Sequence, residues 1–171
     1  MTAQKSETQY APKTYWTPRR VARMAIFIAL AAVGALIKIP SPTGTVALDS
    51  APGYFSAVSF GWLEGGIVGG FGHLLTAATT GFPLGLPIHF IIAIEQFIWA
   101  ALFWLVKEKV NLWVSVVVAT FCNGVLGALI TIPMGGIGLF TALLPGLVLG
   151  SAINIVLAAL AYLVVKRSNM I

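Results

Sequence analysis

Glu95 most invites a chemical role in this sequence, because it is an acid inside a long apolar run and a carboxylate at membrane depth is costly unless it has a purpose. If that run is a helix starting near Ile88, Glu95 lies about 10 Å below its start, at about 1.5 Å per residue. His89 and Gln96 share one face of the same helix, and Glu95 and Trp99 share the adjoining face. A polar and aromatic flank therefore looks toward neighbouring helices. His73, Asn123 and Asn154 stand inside other apolar runs, with Ser151 three residues before Asn154. Any one of these amides or imidazoles is equally accounted for by an interhelical hydrogen bond, worth about 1 kcal/mol or less. Together they favour a polar cavity in the outer half of a bundle, suited to hydrogen-bonded capture of a small molecule.

Other chemistries lack their residues. His73 and His89 belong to different helices, with no HExxH, cysteine cluster or carboxylate triad, so no metal site is expected. A GxSxG elbow is missing, and no serine, histidine and acid group together. The glycine-rich stretch around Gly61, Gly65, Gly66, Gly69 and Gly70 is not followed by Lys-Ser or Lys-Thr, and its small-xxx-small spacing reads as close helix packing. Cys122 is single and apolar in context, which excludes a disulfide framework. Lys38 reads first as a cation snorkelling to headgroups, and Asp49 as a helix cap. Both stand in or beside a loop that would cover an outward-facing cavity and are kept as site candidates. Tyr54, Phe55, Phe82, Phe90, Trp99 and Phe140 favour a ring-bearing ligand, although interfacial aromatics are ordinary in membranes.

The elements that must position these groups follow from composition. Of the 171 residues 58% are hydrophobic and 9% charged, with a mean hydropathy of +0.95, so lipid is the expected solvent. About 20 residues per span allows about six helices after a polar tail, and no soluble catalytic domain. The expected helices run from about Val21 to Ile39, Ser50 to Trp62, Gly65 to Thr80, Ile88 to Val106, Leu112 to Ile132 and Leu139 to Val165. Pro40 and Pro42 stop the first, and Ser50 or Asp49 caps the second with Pro52 in its first turn.

Cations sort by position. Lys5, Lys13, Arg19, Arg20 and Arg23 precede the first run, Lys107 and Lys109 fall in the middle break, and Lys166 and Arg167 close the last. The positive-inside rule then puts both termini in the cytoplasm. The expected fold is an all-α integral membrane bundle of six transmembrane helices in a bacterial plasma membrane, with residues 1–20 a cytoplasmic tail, 21–167 the membrane domain and 168–171 a cytoplasmic end.

The stretch ARMAIFIALAAVGALIKIP, the lid-like loop after it, six short spans and Asn154 in the last one resemble the S components of energy-coupling-factor (ECF) vitamin importers. That resemblance implies a pocket open to the outside, built by helices 4 to 6 and lidded by the loop between helices 1 and 2. It also implies that the AxxxA pattern of helix 1, matched by Ala25 and Ala29 and repeated by Ala31 and Ala35, packs on the transmembrane T component. The chain itself would bind no cofactor and hydrolyse nothing. Two ATPase subunits would supply energy from ATP, and the loaded subunit would topple in the membrane. The segments GTVALDSAPGYF and GHLLTAATTGFPLGLPIH are similar to S components for alpha-ribazole, the nucleoside precursor of the cobalamin lower ligand. Substrate contacts are then expected from Glu95, His89, Gln96, Trp99, Asn123, Asn154, His73, Asp49, Lys38 and Tyr54. Riboflavin, thiamin or hydroxymethylpyrimidine would suit much of the same inventory. An intramembrane enzyme and a purely structural membrane subunit are the alternatives from other classes.

Overall fold

The computed structural model describes residues 15–41, 44–169 and 171. Most of the expected tail therefore lies outside the described residues, including Lys5 and Lys13. Helix α1 spans Pro18–Gly34, with Thr17 as its N-cap accepting from the Arg20 amide and a proline in its first turn. Strands β1 (Lys38–Ser41) and β2 (Gly44–Ala47) form an antiparallel hairpin, pairing Lys38 with Ala47 and Ile39 with Val46. Then come α2 (Ala51–Phe60), α3 (Trp62–Thr79), α4 (Leu86–Lys109) and α5 (Leu112–Phe121). A π turn (Cys122–Leu126) and a 3-10 turn (Gly127–Thr131) lead without a break into α6 (Ile132–Arg167).

Two expectations change. The first helix ends at Gly34 rather than Ile39, because the residues preceding Pro40 and Pro42 favour extended backbone, and the chain folds back so that the Leu48 amide donates to Gly34 O at 3.1 Å. Six spans of similar length do not form either. Helix α2 has 10 residues, about 15 Å of helix, and the 56-residue run Leu112–Arg167 is two helices joined across non-helical backbone at Gly135 and Gly136. That run and Leu86–Lys109 are the two stretches among the described residues long and apolar enough to cross a membrane. The run breaks at Gly135 and Gly136, the latter with φ of +66°, so the helix before them and the helix after them take different directions.

Close packing explains the glycines. A side chain at Gly65 would collide with the backbone of Ala57, and a Cβ on Gly53 would stand 2.8 Å from the Gly69 Cα, so α2 and α3 touch backbone to backbone. Gly61, with φ of +119°, makes the one-residue turn between them. The core joins Tyr54, Ala57, Ala100, Phe103, Ile155 and Ala159, with Tyr54 edge-on to Phe103 at 5.4 Å. Large apolar side chains such as Leu36, Val117, Ile137 and Val164 face outward instead, which suits a lipid solvent.

The cations gather at one end. Glu64, 2% exposed, is gripped by Arg23 through Nε at 2.9 Å and Nη2 at 2.6 Å, and by Arg20 Nε at 2.8 Å. Arg23 also lies over the Phe60 ring, 3.9 Å from its centroid. Phe60, Lys107, Tyr162 and Lys166 share one cleft beside this clamp. Glu64 was legible only as a turn marker, since its partners are about forty residues away in sequence.

Candidate functional site

A cavity of about 460 Å³ opens at the opposite end, within the range of small-molecule sites. Its walls are α3, α4, the π and 3-10 turns and α6, and its cover comes from Ala47, Asp49 and Ser50 before α2 and from Pro83 and Leu84 before α4. Glu95, Gln96 and His89 reach it from α4, His73 from α3, Asn123 from the π turn, and Ser151 and Asn154 from α6. The face predicted for α4 is therefore the face that looks inward.

Three polar assemblies organise the walls. Gln96 Nε2 donates to Asn123 Oδ1 at 2.6 Å, and Asn123 Nδ2 donates to Ser151 Oγ at 2.9 Å, tying α4, the π turn and α6 together. The wider π turn carries Asn123 toward this chain, a common use of such turns at functional sites. His73 Nε2 and His89 Nδ1 are 3.1 Å apart with rings stacked at 5.2 Å. The Leu84 amide approaches His89 Nε2 at 3.4 Å, which makes that nitrogen the acceptor and leaves Nδ1–H to donate to His73 in the neutral pair. Sequence spacing kept the two imidazoles apart, yet they are partners; among the described residues no third ligand joins them.

Asn154 is the third assembly. Its Oδ1 accepts from the amides of Ser50 at 3.2 Å and Ala51 at 2.9 Å, while Nδ2 donates to Ala47 O and Gly150 O, both at 2.9 Å. Both amide hydrogens and both lone pairs are thus used within the chain. Asn154 caps α2 from another helix; Ser50 holds the N-cap position without a side-chain bond of its own, and Asp49 lines the cavity instead of capping. Burial pushes the Asp49 carboxyl above the ordinary carboxylate range.

Several expected contacts are not in the cavity wall. Tyr54 is 1% exposed and belongs to the core, because α2 turns that side toward Phe103. Lys38 is exposed at the start of β1, carried away by the unforeseen hairpin. Trp99 packs against the core, and only its indole edge approaches the cavity: a Cβ built on Gly127 would stand 3.9 Å from Trp99 Nε1 and 3.7 Å from Glu95 Oε2. Gly127 and Gly146 line the site without having been foreseen, since a glycine contributes space and offers no side chain to notice. On α1, Ala25 and Ala29 are exposed, but Ala31 and Ala35 are 0% and 3% exposed. Ala31 packs on Gly72 of α3, where a Cβ would come within 2.8 Å, so the repeated pattern serves internal packing.

Comparison with known proteins adds a family. Residues 19–166 match the family described as the substrate-specific component of the ECF transporter. Among solved structures, ThiT from Listeria monocytogenes superposes with a TM-score of 0.67 at 19% identity, covering 89% of this chain and 96% of that one. The S component of a bacterial ECF transporter superposes with a TM-score of 0.59 at 19% identity, covering 89% and 95%. No curated protein sequence matches the chain significantly.

Proposed function

The chain belongs to the family of ECF transporter substrate-specific components, and from that premise we propose that it captures a small ring-bearing vitamin precursor at the cation-poor end, with alpha-ribazole the first choice of substrate. The observation that carries this reading is the cavity: about 460 Å³, walled by α3, α4, α6 and the two turns before α6, covered by two loops and holding Glu95 with no hydrogen bond or ion pair to any described residue. A carboxylate left unpaired inside a helical bundle is expensive. A ligand hydroxyl or ring N–H supplies the missing partner.

The proposed orientation puts the cationic end in the cytoplasm, by the positive-inside rule, and opens the cavity outside. In this arrangement residues 21–167 form the membrane unit, with 1–20 and 168–171 in the cytoplasm. The exposed Ala25 and Ala29 of α1 offer a T component a close approach, and ATP is consumed by the associated ATPase subunits. Asn154 positions the loop over the cavity, while Glu95, Gln96, Asn123, His73 and His89 meet ligand. The nucleoside is favoured because ribose hydroxyls suit a wall of amides and a carboxylate; riboflavin, thiamin or hydroxymethylpyrimidine is the alternative.

Calorimetry on the purified full chain tests this. The expected result is one-to-one binding of alpha-ribazole at micromolar concentration or tighter, weakened at least tenfold by Gln96→Ala. Absence of binding by every compound in a vitamin panel would contradict it, and a purely structural subunit would show that behaviour.

A further inference from the structure

We infer that the deep end of the cavity, between Glu95, Trp99 and Gly127, accepts the uncharged hydroxyl-bearing end of its ligand and rejects the phosphorylated form; this rests on the importer reading above. Trp99 Nε1 is a buried donor with no hydrogen-bond partner, and Glu95 is an acceptor with none among the described residues. Both lie within 4 Å of the point where a Gly127 side chain would begin. The absent Cβ thus leaves room for a group that donates to the carboxylate and accepts from the indole. A sugar hydroxyl does both.

Charge decides against an ester. Among the described residues, no lysine or arginine lines the cavity, whereas Asp49 and Glu95 both do. His73 and His89 already spend nitrogens on each other and on the Leu84 amide. A phosphate entering here would meet a carboxylate with no compensating cation, and like charges brought together in a site of low dielectric repel strongly. Gly127 has helical backbone angles, φ of −61° and ψ of −29°, and a Cβ there meets nothing closer than 3.7 Å. Gly127→Ala is therefore compatible with the fold and fills the subsite.

The test is calorimetry on the full chain in nanodiscs with matched pairs: alpha-ribazole and its 5′-phosphate, riboflavin and its 5′-phosphate, thiamin and its monophosphate. The expected result is that whichever parent binds, its ester binds at least about 100-fold more weakly. Gly127→Ala weakens the parent at least about tenfold with an unchanged melting temperature, and Trp99→Phe gives the same loss should the alanine variant fail to fold. Glu95→Gln narrows the parent-to-ester ratio at least about tenfold, which a merely structural role would not do. A parent and ester binding within about threefold, or a ratio unmoved by Glu95→Gln, overturns the inference and leaves the importer reading standing. Failure of every parent to bind overturns the importer reading, and this inference with it.

Discussion

Asn154 illustrates how a residue visible in sequence can take a different role in structure. A polar residue deep in the last helix stood out, but its four hydrogen bonds hold the start of α2 and the end of β2. Asn154→Ala strands two backbone amides and is expected to cost about 2–3 kcal/mol, read as a lower melting temperature in detergent. Asp49 carries a pH prediction. Its folded carboxyl is pushed up by burial, so the folded state holds that proton more tightly than the unfolded chain. The stability this contributes is complete below the unfolded value of 3.8 and is lost as pH rises through the folded one. Asp49→Asn should therefore raise the melting temperature relative to the parent more at neutral pH than at a pH of about 4. Glu95, His89 and Gln96 were legible because depth and a shared helical face are sequence properties. Tyr54 was not, because which way a short helix is rotated depends on the helices it packs against.

Helix α1 separates two uses of one motif. Ala25 and Ala29 are exposed while Ala31 and Ala35 are buried against the chain's own helices, a distinction that AxxxA spacing cannot make. Ala29→Trp is expected to leave ligand affinity unchanged but cut uptake in cells at least about tenfold, whereas Ala31→Leu should overpack the contact with Gly72 and destabilise by about 1–3 kcal/mol. Matched calorimetry, uptake and melting curves distinguish the two. The Arg20 and Arg23 clamp on Glu64 joins α1 to α3. Glu64→Gln should cost about 2 kcal/mol, below a fully buried pair because Arg23 remains partly exposed, again as a drop in melting temperature. Proline positions set the end of the first helix at Ile39 where α1 ends at Gly34, because the hairpin that claims the residues between depends on pairing across a turn. The π and 3-10 turns after Phe121 were read as regular helix because periodicity cannot register one extra residue in a turn.

Across the whole molecule, polar groups sort to two ends of an apolar body. One end holds the arginine clamp and the Lys107–Lys166 cleft; the other holds the cavity, its loops and the hairpin that begins at Lys38. Composition made the lipid environment legible, and the spacing of cations made the sorting legible. The unequal lengths of the helices were not, since α2 is far shorter than a bilayer is thick. The proposed orientation opens the cavity away from the cytoplasm. With Cys122→Ala removing the native thiol, Lys38→Cys and Lys109→Cys can each be labelled in intact cells with a membrane-impermeant maleimide. Labelling of position 38 in intact cells, with position 109 labelled only after permeabilisation, is the expected result; labelling of both from the same side would overturn this orientation.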